Sequence, residues 1–200
     1  MKELDYYTVN GALGWSQDWF ADWRLHIGGC GAVTACDACL LLARDKGLSA
    51  LYPYDPQEVR WQDYLSFARH MGKAYLWPRF MGIDTLAAYL EGFLAYCQDA
   101  GVRTLSAEGL GGDAFWQEAA QLVRTQIDDG IVVPFLLLHH KDKAFADFQW
   151  HWFNLAGYEV AQGRFLVKAV TYGQAFWLDL ERLWQTGHRK KGGMIRLLVS

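Results

Sequence analysis

The run Ala32-Val33-Thr34-Ala35-Cys36-Asp37-Ala38-Cys39-Leu40-Leu41-Leu42-Ala43 constrains the fold most. It is nearly all apolar and is entered through Gly28-Gly29-Cys30-Gly31. A helix of this kind must be buried, so the rest of the chain has to supply the layers around it. The spacing predicts a helix from Cys30 to about Asp45, stopped by Lys46-Gly47. Cys30 then sits in the first turn, where unpaired backbone N–H groups and the positive end of the helix dipole favour a thiolate. Its thiol is expected to titrate below the free value of about 8.5. The flanking glycines allow another backbone, or a substrate, to come close to the sulfur.

The remaining chain reads as helices followed by strands. Residues 1–28 read as irregular, anchored by Trp15, Trp19, Phe20 and Trp23. Asp55-Pro56-Gln57-Glu58 reads as a helix start, with Asp55 as cap and Glu58 at the capping-box position. A third helix is expected from near Asp84 to Gly101, and a fourth after Gly111-Gly112-Asp113. From Ile131 the pattern turns strand-like: Ile131–Leu138, Trp150–Val160, Phe165–Thr171 and Met194–Val199, with a hairpin at Gln162-Gly163 and a short helix over Asp179–Trp184. This order predicts an α+β fold in which an antiparallel sheet packs on the first helix. We expect one domain over 1–200, with 1–130 mainly helical and 131–200 mainly β.

Composition narrows the function. A formal charge of −3 argues against a nucleic-acid partner. The basic run His188-Arg189-Lys190-Lys191 is short and reads as a solvated turn. The start, Met1-Lys2-Glu3-Leu4-Asp5-Tyr6, lacks an apolar signal-peptide core. The longest apolar run, Ile131 to Leu138, is broken by Pro134 and is too short to span a membrane. A soluble, cytoplasmic protein with no membrane partner is expected. Four cysteines in 200 residues make no disulfide framework, and a reducing compartment keeps them as thiols. With 10 Trp, 10 Tyr and 11 Phe, most rings must serve the core while some can line a groove.

A second chemical feature lies far downstream. Gln149-Trp150-His151-Trp152-Phe153-Asn154-Leu155-Ala156-Gly157-Tyr158 reads as a strand carrying a histidine. A cysteine on a helix start paired with a base on a distant strand is an arrangement that activates the thiol. In Cys30-Gly31 opening a helix, and in His151-Trp152 running into Gly157-Tyr158, the chain resembles the papain-like cysteine peptidases. It is most similar to the branch related to bacteriocin-leader (double-glycine) peptidases.

The resemblance implies a papain-like fold, with the nucleophile-bearing helix packed on an antiparallel sheet. It also implies Cys30 as nucleophile, His151 as general base and acid, a thioester intermediate, and a peptide or small amide substrate. No metal or organic cofactor is required. Two positions depart from the family pattern. Arg24 stands where the oxyanion glutamine is usual, and the nearest upstream glutamine, Gln17, is too far by spacing. Arg24 and His26 are the oxyanion candidates, although Arg24 reads more simply as the partner of Asp22 or Asp18. The strand after His151 offers no Asn or Asp to orient the imidazole, which leaves Thr171 as the candidate third group and Gln174 after it. The alternative function is a catalytically degenerate domain of the same fold that binds a peptide or protein partner.

Other polar features read as structural. Cys36 and Cys39 form a Cys-x-x-Cys, yet they share an apolar helical stripe and lack a second ligand cluster, so they read as core and not as a zinc or redox site. His139 and His140 read as solvated residues near a loop. Gly109-Leu110-Gly111-Gly112 has no following Lys-Ser/Thr and does not match a phosphate loop.

Overall fold

The computed structural model describes residues 1–78 and 82–200. The N-terminal part holds β1 (Lys2–Glu3), β2 (Thr8–Val9), β3 (Ala12–Leu13), a 3-10 turn (Gln17–Trp19) and α1 (Trp23–Gly28). Three longer helices follow: α2 (Cys30–Asp45), α3 (Trp61–Ala74) and α4 (Leu86–Asp99). Next come β4 (Leu105–Gly111), α5 (Trp116–Asp128) and β5 (Val133–Leu137). The chain closes with β6 (His151–Ala161), β7 (Arg164–Thr171), β8 (Gln174–Asp179), α6 (Leu180–Trp184) and β9 (Gly192–Val199).

The α+β arrangement is present, built on a seven-stranded sheet in the order β4-β9-β5-β6-β7-β8, with β1 also paired to β6. Every pairing is antiparallel. Strand β6 is long enough to take two partners on one edge: β5 lies along His151–Leu155 and β1 along Gly157–Tyr158. The halves of the chain are therefore not separate in space, since β1 and β4 come from the mainly helical part.

Side chains alternate across the sheet with period two, and both faces are covered. Leu136, Trp152, Ala156, Val170 and Ile195 pack in the cluster that contains α2. Phe135, Phe153, Leu155, Val167 and Met194 pack in the cluster that contains α5 and α6. Helix α2 lies between β6 and α3, and every residue from Cys30 to Ala43 is buried. That placement explains its lack of a polar face. Cys36 and Cys39 are wholly buried in this apolar cluster. No helix among the described residues is long and apolar enough to cross a membrane.

Several local expectations need correction. Asp55 does not cap α3; its Oδ1 accepts from the Gln57 N–H at 2.8 Å, which closes a turn, and the helix starts only at Trp61. The helix expected from near Asp84 is present as α4, capped by Thr85, which accepts from the Ala88 N–H at 3.2 Å. Residues 1–28 are not irregular throughout, and Trp23 is no anchor, being 64% exposed on α1. His140 is not solvated. Its Nε2 lies 2.9 Å from the Arg182 carbonyl, and its Nδ1 accepts from the Asp142 N–H.

Candidate active site

The site begins where α1 meets α2 end to end. Asp22 caps α1 by accepting from the Arg24 and Leu25 N–H groups at 3.0 and 3.3 Å. The helix closes at Gly28, Gly29 bridges, and α2 starts at Cys30. A Cβ on Gly29 would stand 2.3 Å from the Leu25 carbonyl oxygen, and one on Gly28 would stand 2.8 Å from Pro78 Cβ and 3.0 Å from Gly82 Cα. Both glycines are therefore required by close backbone approach. Gly29→Ala is expected to cost about 1–3 kcal/mol, because the Leu25 carbonyl cannot yield without unwinding α1. A lowered urea midpoint at unchanged slope would register this, whereas a wild-type midpoint would show that the junction has slack.

Trp152 packs against the start of α2. Its ring packs against Gly31, stacks on Tyr89 with centroids 4.3 Å apart, and donates through Nε1 to the Ile83 carbonyl at 2.6 Å. The Trp152 backbone N–H is directed at Cys30, as are the N–H groups of Gly31 and of Cys30 itself. Cys30 is only 4% exposed, and burial outweighs these three donors, so its thiol is pushed up, opposite to the expected direction. The other thiols are pushed further: Cys36 and Cys39 lie well above the ordinary range, and Cys97 is raised to about 12.

His151, the first residue of β6, is 4% exposed. Its Nε2 lies 2.7 Å from Thr171 Oγ1, at the end of β7. The Tyr172 ring covers the imidazole face, with centroids 4.5 Å apart and planes 5° from parallel. Tyr172 is fixed in turn by its hydroxyl, which donates to the Asp147 carbonyl at 2.9 Å. It sits in the two-residue turn Tyr172-Gly173 with φ of 53°, and Trp150 just before His151 has φ of 55°. Left-handed backbone at two aromatic residues is costly, and here it frames one histidine. Burial pushes the His151 imidazole down to about 3, so the ring is neutral at pH 7. In the tautomer that donates Nε2–H to Thr171, Nδ1 presents a lone pair.

Thr171 and Tyr172, neighbours at the end of β7, hold and cover the His151 ring at the start of β6, while Cys30 opens α2. Tyr172, stacked on His151, also lies in the field of Cys30. No hydrogen bond joins the Cys30 sulfur to the imidazole among the described residues, and such contacts often tighten only when substrate binds. Gln174 faces Thr171 across the β7–β8 hairpin, is exposed, and makes no hydrogen bond to His151.

The oxyanion candidates are placed differently. The Arg24 guanidinium lies 5.4 Å from the rings of both Trp23 and Trp77, and it forms no ion pair with Asp18 or Asp22. His26 Nδ1 lies 3.0 Å from the Asp18 carbonyl. Neither is hydrogen-bonded to Cys30 or His151 among the described residues. Gln17, too far by spacing, is brought back by the 3-10 turn. Its Nε2 donates to the Ile27 carbonyl at 3.3 Å, three residues before Cys30, and its Oε1 is buried with no hydrogen-bond partner among the described residues. The N–H groups of Cys30, Gly31 and Ala32 at the start of α2 donate to no backbone carbonyl among the described residues.

Compared with known proteins, the chain matches no family model, no curated protein and no solved structure.

Proposed function

We propose that this protein is a papain-like thiol hydrolase that cleaves a peptide or related amide. What supports the reading is a buried His151 whose ring is bonded to Thr171 through Nε2 and covered by Tyr172, together with a cysteine that opens a buried helix and has the backbone N–H of Trp152, the residue after His151, directed at it. In the first step the Cys30 thiol proton passes to His151 Nδ1 as sulfur bonds to the carbonyl carbon. The oxyanion is received by the N–H groups at the start of α2, with the Gln17 side-chain amide as a further donor. The C–N bond then breaks, the amine leaves with the proton from His151, and a Cys30 thioester remains. Water adds to the thioester, gives a proton to His151, and releases the acid and the free thiol. No metal or organic cofactor takes part in these steps. Four unpaired thiols suit the cytoplasm as the place of action.

One observation favours the second reading, a degenerate domain that binds a peptide or protein partner. Burial moves thiol and imidazole toward their neutral forms, and no carboxylate touches His151 to favour the imidazolium. Native alkylation with iodoacetamide separates the two readings. For a hydrolase, Cys30 is modified first, its rate climbs through pH 9, and His151→Gln slows it at least about tenfold at pH 7. Equal labelling of Cys30, Cys36, Cys39 and Cys97 would remove the nucleophile, and a Cys30 rate indifferent to His151→Gln would favour the degenerate domain.

A further inference from the structure

The basic run near the C-terminus does not stand alone in space. Thr186–Lys191 lies along Leu138–Lys141 through three backbone bonds: Leu138 N–H to the Lys191 carbonyl at 3.1 Å, His139 N–H to Lys190 at 3.3 Å, and Lys141 N–H to Thr186 at 2.9 Å. Trp150 joins the same strip by donating its N–H to the Leu138 carbonyl at 3.1 Å. Its ring is 47% exposed and is backed edge-on by His139 at 4.8 Å, which in turn lies 5.4 Å from His188. The Lys141 stem lies over Gly187, where a Cβ would stand 2.8 Å from Lys141 Cδ.

The charges on this strip are unevenly matched. Lys191 pairs with Asp113 at 3.4 Å, and nearby Arg182 pairs with Asp142 at 2.5 Å. Lys141, Arg189 and Lys190 are exposed and have no ion-pair partner among the described residues. Lys141, Arg189 and Lys190 are thus free to receive an anion close to an exposed tryptophan whose backbone is left-handed.

We propose that this strip is a substrate subsite for a peptide segment bearing a carboxylate. The apolar part of the segment rests on Trp150, and the carboxylate is received by Lys141, Arg189 and Lys190. Placement as a substrate subsite rests on the hydrolase reading, since Trp150 adjoins His151; binding itself does not. A membrane surface calls for a larger basic cluster, and a nucleic acid for a longer array of cations.

The test uses the full chain carrying Cys30→Ala, so that nothing is turned over and the outcome is independent of thiol chemistry. Three fluorescein-labelled hexapeptides are compared by anisotropy: Ala-Phe-Glu-Glu-Phe-Ala amide, its Gln counterpart as the amide, and the Gln counterpart with a free carboxyl terminus. The Glu peptide, the free-carboxyl peptide, or both should bind about tenfold tighter than the Gln amide at low salt. Which one does so identifies side-chain or terminal carboxylate as the source. The preference should shrink as salt rises and vanish in the Lys141→Glu, Arg189→Glu, Lys190→Glu protein. Equal binding of all three peptides, no binding by any, or a preference that survives both salt and charge reversal would overturn the subsite. So would co-sedimentation with phosphatidylserine vesicles without any peptide preference. Failure of Cys30 to alkylate would instead count against the hydrolase and leave these binding results standing.

Discussion

Asp37→Ala is expected to lower stability by at least about 3 kcal/mol, enough to threaten the fold. Asp37 is buried on α2, and its two oxygens accept from three tyrosine hydroxyls: Tyr6 at 2.6 Å, Tyr7 at 2.6 Å, and Tyr64. Asn154 of β6 adds a contact by donating to the Tyr6 hydroxyl at 3.2 Å and to the Thr34 carbonyl at 3.1 Å. One carboxylate thus ties the N-terminal segment, α3 and β6 to the helix that carries Cys30. Alanine leaves the buried Tyr6 and Tyr7 hydroxyls without their acceptor, each costing about 1–3 kcal/mol, and leaves Tyr64 with only the Val33 carbonyl at 3.2 Å.

The same residue makes stability depend on pH. Burial raises the Asp37 carboxyl from 3.8 to about 6 even though the three hydroxyls pull it down. Between about pH 4 and 6 the folded state therefore holds more protons at this group than the unfolded state, and the Asp37 contribution falls as pH rises. His151 acts in the opposite sense. Its imidazole falls from 6.5 to about 3 on burial, so the unfolded state binds more protons over that window and stability rises with pH. The two effects offset each other in the wild type between about pH 4 and 6. Asp37→Asn should expose the His151 effect as a steeper loss of urea midpoint on acidification, and His151→Gln should flatten or reverse that slope. Parallel pH profiles for the wild type and Asp37→Asn would show that the carboxyl does not titrate there.

Some of this was legible in the sequence because its signals are local. The α2 helix runs from Cys30 to Asp45 and is closed by Gly47 at φ 70°, as the glycine stop indicates. The Gln162-Gly163 hairpin, with φ of 52° and 75°, follows from its turn residues. The strand that starts at His151 follows from its β-rich composition. Strands β4 and β8 were not legible. Both lie at sheet edges, and neither has a continuous buried face, so their alternation is weak.

The misses at the site have a common cause, which is that they depend on tertiary placement. A helix start argues for a depressed thiol whatever surrounds it, yet burial of Cys30 outweighs the backbone donors and reverses the direction. Spacing along the chain set Gln17 aside, and only the turn back onto Ile27 brings its amide near the start of α2. The Thr171 contact was reachable because β6 and β7 form a hairpin whose register sets the end of one strand beside the start of the other. Asp37 gave a weaker signal: a lone carboxylate in an apolar helix must find partners, but the sequence does not say which.

The second large effect concerns acyl transfer. With p-nitrophenyl acetate as a simple acyl donor, the wild type should release nitrophenolate in a rapid phase of one equivalent, followed by slower turnover. Cys30→Ala should show no rapid phase. His151→Ala should slow it about 10²–10⁴-fold, the usual worth of a general base. Thr171→Val should slow it less, because nucleophile and base remain and only the ring's orientation is loosened.

The decisive measurement is the mass of the Cys30-bearing peptide after brief reaction of the native protein with that ester. One acetyl group on Cys30, absent from Cys36, Cys39 and Cys97 and strongly reduced in His151→Ala, is the result expected of a nucleophile served by His151. An unmodified Cys30, or an acetyl that forms on it equally fast in His151→Ala, would contradict the pairing of these two residues in catalysis.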